Sequence, residues 1–160
     1  YVSEPPDFSG FNDPAKMKVI AKGMIDKGVD VIYSAAGGSG AGNFQAATEA
    51  AAAGKKVWTI GVDSDQYLTA SAAEKKNMLT SMTKRVDNAV YDVIANAVAG
   101  RTVNDILDAK AGIYGRRYDL KTGGVGVSYS GGYINKYKAQ IDAAAKAIMS
   151  GKIKVPAVPK

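Results

Sequence analysis

Two short stretches of this 160-residue chain hold the residue types that could do chemistry. The first is Tyr33-Ser-Ala-Ala-Gly-Gly-Ser-Gly-Ala-Gly42. The second, about twenty residues further on, is Gly61-Val-Asp-Ser-Asp-Gln66. Without side chains, Gly37, Gly38 and their neighbours let backbone come close to a ligand. The N–H groups of a helix opening there favour an anion or a hydroxyl-rich molecule. The Asp63 carboxylate can accept two hydrogen bonds from a vicinal diol, the way ribose is often held. Other readings stay open. The glycine loop also reads as a tight strand-to-helix turn with no ligand. Asp63 and Asp65 at i and i+2 also suit Mg²⁺, and either acid also serves as a turn former or helix cap.

Two further groups belong to the same question. Lys84 ends the third expected strand and can donate to a ligand oxygen, neutralise Asp63, or be an ordinary surface lysine. Phe11 can stack on a ring whose edge Asn12 reads through its paired donor and acceptor. The same two residues also read as staple and cap for the helix that follows. The glycine loop is not a phosphate-binding P-loop, because no Gly-Lys-Ser/Thr follows it. It matches G-x-G-x-x-G only in part: after Gly38 and Gly40 the third position is Asn43, and after Gly40 and Gly42 it is Gln45.

The elements that must position these groups follow from pattern. Asp13-Pro14 is a helix start, Asp as N-cap and Pro at the first helical position. Met17, Ile20, Ala21 and Met24 keep helical spacing, and Gly28 stops that helix. Residues 29–36 read as a buried strand, 43–53 as an alanine-rich helix closed by Gly54, and 56–62 as a second buried strand. Residues 66–77 are a polar loop with a helical patch, and 78–83 a third strand ending at Lys84-Arg85. A helix over 86–99 is expected to bury Val86, Val90, Val93, Ile94 and Ala97, and 101–109 one more helical turn. Residues 112–120 and 124–128 read as a hairpin or two crossing strands. A last helix over 133–149 is expected to face Ile134, Tyr137, Ile141, Ala144, Ala145 and Ile148 inward, before an extended tail. Helices alternating with buried strands predict an α/β parallel sheet, whose strand C-terminal ends share one edge. Ala36, the glycine loop, Asp63 and Lys84 all fall on it.

Composition narrows the chemistry. There is no cysteine and no histidine. That excludes cysteine nucleophiles, Ser-His triads and zinc sites of the usual kind. No cofactor or metal is expected. The net charge of +6 comes from lysines scattered along the chain, unlike the clustered footprint of a nucleic-acid binder, so no nucleic-acid partner is expected. No apolar run approaches the ~18 residues of a membrane span. The opening Tyr1-Val-Ser-Glu-Pro-Pro-Asp has neither initiator Met nor signal-peptide layout. The expectation is a processed product or a fragment.

In order along the chain stand Phe11-Asn-Asp-Pro-Ala-Lys, Asp30-Val-Ile-Tyr-Ser-Ala-Ala-Gly-Gly-Ser-Gly and Ile60-Gly-Val-Asp-Ser-Asp-Gln. Leu79-Thr-Ser-Met-Thr-Lys-Arg-Val-Asp, Gly123-Gly-Val-Gly and Gly151-Lys-Ile-Lys-Val-Pro follow. Together they resemble the basic membrane protein (PnrA-like) family, substrate-binding lipoproteins of ABC transporters. The resemblance implies a type I periplasmic-binding-protein fold, two α/β lobes closing over a ligand, usually a purine nucleoside. It implies binding without catalysis, delivery to an ABC permease, and an extracytoplasmic location with a lipid anchor on an absent N-terminal part.

By this resemblance the chain is the C-terminal half. Residues 1–13 would be hinge or linker, 14–110 the C-terminal lobe, 111–130 hinge-crossing strands that return to the missing lobe, and 131–160 the final helix and tail. Asp63 would accept the ribose diol, and Lys84 would contact ribose or ring. Gly37 and Gly38 would line the sugar side, with Tyr33 to Ala36 walling the ring. Phe11 and Asn12 belong to a motif near the hinge. A companion N-terminal lobe or fragment, domain swapping or association is expected, because strands without partners leave open edges. The alternatives are a Rossmann-type dinucleotide-binding enzyme domain, a sugar- or riboflavin-type binding protein, and a regulatory lobe of the same fold.

Overall fold

A computed structural model describes residues 7–108 and 115–156. They divide into two compact units, one of residues 7–83 with Val127–Lys136, the other of Lys84–Gly126 with residues 137–156.

In the first unit, α1 (Pro14–Asp26) starts as the sequence predicts. The Asp13 carboxylate accepts the Lys16 N–H at 2.9 Å and Pro14 occupies the first turn, which satisfies an orphan donor at the helix start. After it come β1 (Val31–Tyr33), a 3₁₀ turn (Gly37–Ser39) running into α2 (Gly40–Ala52), and β2 (Trp58–Asp63). A second 3₁₀ turn (Gln66–Leu68), α3 (Ala72–Lys75) and β3 (Met78–Lys84) follow. β1 is shorter than the predicted run over 29–36, and α2 begins inside the glycine loop instead of after it.

The sheet order is β1-β2-β3-β4, with β4 at Val125–Val127. β1 pairs parallel with β2, and β2 parallel with β3, so Tyr33 stands opposite Ile60 and Asp63 opposite Thr83. Along β4 the direction reverses. Ser128 donates its N–H to Ser81 O, while Arg85 donates to Gly124 O, so rising number on one strand meets falling number on the other. The sheet is therefore mixed.

The core of this unit is one-sided. Met17, Ala21 and Ile25 of α1 and Ala46 and Ala47 of α2 pack on Ile32 and Val57. Burying each large side chain contributes about 1.5–3 kcal/mol. The neighbours of Ile32, Val31 and Tyr33, point to the other face and are 42% and 46% exposed. The two helices meet at Gly42, where a Cβ would stand 2.0 Å from Pro14 O and 2.7 Å from Lys18 N. Only glycine permits that approach.

The second unit holds α4 (Val86–Val98), α5 (Val103–Ile106), preceded by the Thr102/Asp105 capping box, and α6 (Lys138–Met149). Here two expectations are corrected. Val86, Val90, Val93 and Ile94 are between 48% and 63% exposed rather than buried. Periodicity identifies the face that gains by burial but not what lies against it. Residues 115–120 form no strand, so of the late pair only β4 is present; residues 112–114 lie outside the described residues. The final helix is also shorter than expected, preceded by a 3₁₀ turn (Asn135–Tyr137), and Tyr137 is 47% exposed. Among the described residues no helix is long and apolar enough to cross a membrane.

Candidate functional site

The parallel register of β1, β2 and β3 sends their C-terminal ends to one edge of the sheet, where open α/β sheets bind ligands. In the first unit that edge carries two structures.

One is the glycine turn with the segment before α1. The Ser39 hydroxyl accepts the Asp13 N–H at 2.7 Å and donates to Gly10 O at 2.6 Å. This fully buried serine pins residues 10–13 onto the turn. Gly37 has φ +53°, and a Cβ there would lie 3.2 Å from Phe11 O. A Cβ at Gly38 would lie 3.2 Å from Asn12 Oδ1. The structure thus brings Phe11, Asn12, Gly37 and Gly38 together, with Ala36 at the head of the turn, its carbonyl accepting the Ser39 N–H. Phe11 and Asn12 stay exposed. Phe8 stacks beside Phe11, ring centroids 6.4 Å apart and planes 20° from parallel. Sequence reasoning passed over Phe8, which sits in the stretch read only as hinge or linker.

The other is the end of β2. Asp63 has φ +71°, the one non-glycine positive φ among the described residues. Around it Ser64 donates its N–H to Val62 O at 2.9 Å. An i→i+2 bond with positive φ at the middle residue is the rare, strained form of the γ-turn. Such a conformation costs about 1–3 kcal/mol and persists only where the surroundings impose it. Here they do. Gln66 Oε1 accepts the Val62 N–H at 2.8 Å, and the Gln66 N–H reaches Ser81 Oγ at 3.2 Å. The Asp63 side chain is exposed.

The two acids of this turn act differently. One Asp65 oxygen accepts from the Ser130 hydroxyl, and the other is buried without a partner. Asp65 therefore ties its loop to residue 130 of the same unit. Among the described residues no group of three or more His, Cys, Asp or Glu gathers as a metal site would require.

Lys84 is the last residue of β3, next to the Thr83 that pairs with Asp63, and it opens the second unit. It too is exposed. The first unit thus assembles Ala36, Gly37, Gly38, Phe11, Asn12 and Asp63 on one sheet edge.

Comparison with known proteins agrees with this architecture. The family model for "ABC transporter substrate-binding protein PnrA-like" matches residues 7–158. The chain is 35% identical over 157 residues to the "ABC transporter nucleoside-binding protein BmpA" of Lactococcus lactis, covering 91% of this chain and 41% of that protein. It is 40% identical over 162 residues to a "CD4+ T-cell-stimulating antigen" of Listeria monocytogenes, covering 92% of this chain and 42% of that protein. Among solved structures, an ABC transporter solute-binding protein of Aeropyrum pernix superposes with a TM-score of 0.68 at 26% identity, over 94% of this chain and 46% of that one. The chain thus spans less than half the length of these relatives. Their fold is that of solute-binding proteins, and the family is one of binding proteins, not enzymes. From matched sequence and matched fold together, the chain belongs to the PnrA-like family of ABC transporter substrate-binding proteins.

Proposed function

We propose that this chain forms one wall of a binding site for a nucleoside, with purine nucleosides the preferred class, and that it does no chemistry on the ligand. The carrying observation is Asp63, an exposed carboxylate at the end of β2 held in a strained γ-turn. Strain of this kind is retained where a side chain must be aimed. A carboxylate aimed out of a sheet edge accepts both hydroxyls of a ribose. The glycine turn offers backbone N–H groups to the sugar, and the exposed Phe11 ring and Asn12 carboxamide suit the flat face and polar edge of a base. Lys84 adds a donor from the adjoining strand end. The name of the Lactococcus lactis relative supports the ligand class.

Because the relatives are longer, the other wall is proposed to come from an N-terminal lobe that closes over the same edge, with closure enclosing the ligand. The whole protein would be extracytoplasmic, lipid-anchored through that N-terminal part, and would hand its ligand to an ABC permease. Family membership gives no support to the dinucleotide-enzyme alternative.

Amide chemical-shift mapping on the 160-residue chain tests this reading. Millimolar adenosine or guanosine should shift the amides of residues 11–12, 36–39 and 62–64, while ribose-free adenine shifts residues 11–12 and leaves 37–39 and 62–64 in place. No nucleoside-dependent shift at residues 62–64 would overturn the reading.

A further inference from the structure

The strain at Asp63 needs a source of restraint, and the strand pairing shows where one is missing. In β2 the N–H groups of even-numbered residues point towards β1: Trp58 donates to Asp30 O. Those of odd-numbered residues point towards β3: Thr59 donates to Asn77 O. The Val62 N–H therefore points to the β1 side. There β1 has ended, since its last residue, Tyr33, pairs with Ile60. A buried strand amide left without an acceptor is costly. The Gln66 carboxamide oxygen takes the vacant position, 2.8 Å from the Val62 nitrogen.

Three features fix that carboxamide. Gln66 donates its own N–H to Ser81 Oγ on β3 at 3.2 Å. Its carbonyl accepts the Thr69 N–H at 3.2 Å, which closes the 3₁₀ turn, and the Ala70 N–H at 3.0 Å. Beneath it lies Gly61, where a Cβ would stand 2.5 Å from Gln66 Oε1 and 2.6 Å from Ser81 Oγ. Val62 is in turn the residue whose carbonyl closes the γ-turn around Asp63. One side chain thus holds the N–H of Val62 while the C=O of Val62 holds the turn.

We propose that Gln66 is a positioning residue for ligand binding: its carboxamide replaces the β1 carbonyl missing opposite Val62 and so locks the strained turn that presents Asp63. Gln66 itself touches no ligand. Its effect on affinity rests on the nucleoside reading of Asp63, whereas its effect on the turn does not.

Two substitutions separate the brace from general packing. Gln66→Met keeps length and volume but removes the acceptor. Gly61→Ala places a methyl 2.5 Å from Gln66 Oε1 and so displaces the carboxamide while the glutamine itself is retained. Gln66→Glu keeps the acceptor and is the rescue. In each protein, Val62 amide exchange, the Asp63 backbone coupling that reports the sign of φ, and guanosine affinity are measured. In Gln66→Met and Gly61→Ala, Val62 exchange should rise about tenfold or more, as expected for one lost hydrogen bond. Asp63 should move to negative φ and guanosine affinity should fall about tenfold. Gln66→Glu should restore the positive φ and the protection. An unchanged Val62 exchange and Asp63 φ in Gln66→Met overturns the brace. A wild-type chain that ignores guanosine overturns only the nucleoside reading, since exchange and coupling decide the brace alone.

Discussion

The carbonyl oxygen of Phe11 occupies the space that any side chain at Gly37 would need, 3.2 Å from the position of a Cβ there. Because Gly37 also has φ +53°, its replacement meets two penalties, left-handed backbone and a contact with main chain. Gly37→Ala should therefore cost about 1–2 kcal/mol and displace the segment that carries Phe11 and Asn12. Urea melts give the first effect. Loss of the Asp13 amide's protection, which depends on Ser39, gives the second. A variant as stable as wild type would contradict the packing described.

Gly42 and Gly23 make a sharper contrast, since both lie in long helices. At Gly42 a Cβ would collide with Pro14 O and Lys18 N across the α1–α2 contact, whereas at Gly23 nothing lies within 4 Å. Gly42→Ala should destabilise by about 1–3 kcal/mol or more, as overpacking does. Gly23→Ala should stabilise by up to about 1 kcal/mol through helix propensity. Thermal denaturation of the two variants should move in opposite directions, and equal shifts would contradict the account.

Glu49 of α2 sits between two lysines of α1, 2.5 Å from Lys18 Nζ and 3.1 Å from Lys22 Nζ. Hydrogen bonds from Lys18 and then Lys22 hold its carboxyl below the ordinary glutamate value. A depressed folded pKa means stability present above the unfolded value, about 4.3, and lost as pH falls through the folded one. The stability margin of wild type over Glu49→Gln should be constant from neutral pH to about pH 5 and vanish in stronger acid. A margin independent of pH, read from denaturant midpoints, would remove this ion cluster from the account.

Asp63→Gly separates strain from function. Glycine takes φ +71° without penalty, so the variant should gain about 1 kcal/mol of stability while losing the carboxylate. Asp63→Ala loses the carboxylate but keeps the strain. If both variants melt alike, Asp63 is not strained in solution.

Much of the site's position was legible in the sequence because it depends on local rules. Glycines after one apolar run and an acid after the next already put Gly37 and Asp63 on one sheet edge, while the cap at Asp13-Pro14 placed Phe11 only before the first helix. What escaped was decided by residues distant along the chain or by tertiary space. The Asp65–Ser130 contact joins residues 65 positions apart. Gly42 reads as part of a ligand loop, yet it serves the contact between α1 and α2. Gln66 looks like one more polar loop residue until the end of β1 leaves the Val62 amide without a partner. The valines of α4 repeat at helical spacing, which states a preference for burial but not what lies against that face.

The most direct test of the central claim compares adenosine with 2′,3′-dideoxyadenosine for binding to wild type and to Asp63→Asn. The account predicts that wild type prefers adenosine by about 10- to 100-fold, the worth of hydrogen bonds to a charged acceptor, and that Asp63→Asn loses most of this preference while keeping its fold. Equal binding of the two nucleosides by wild type, or an undiminished preference in Asp63→Asn, would contradict it.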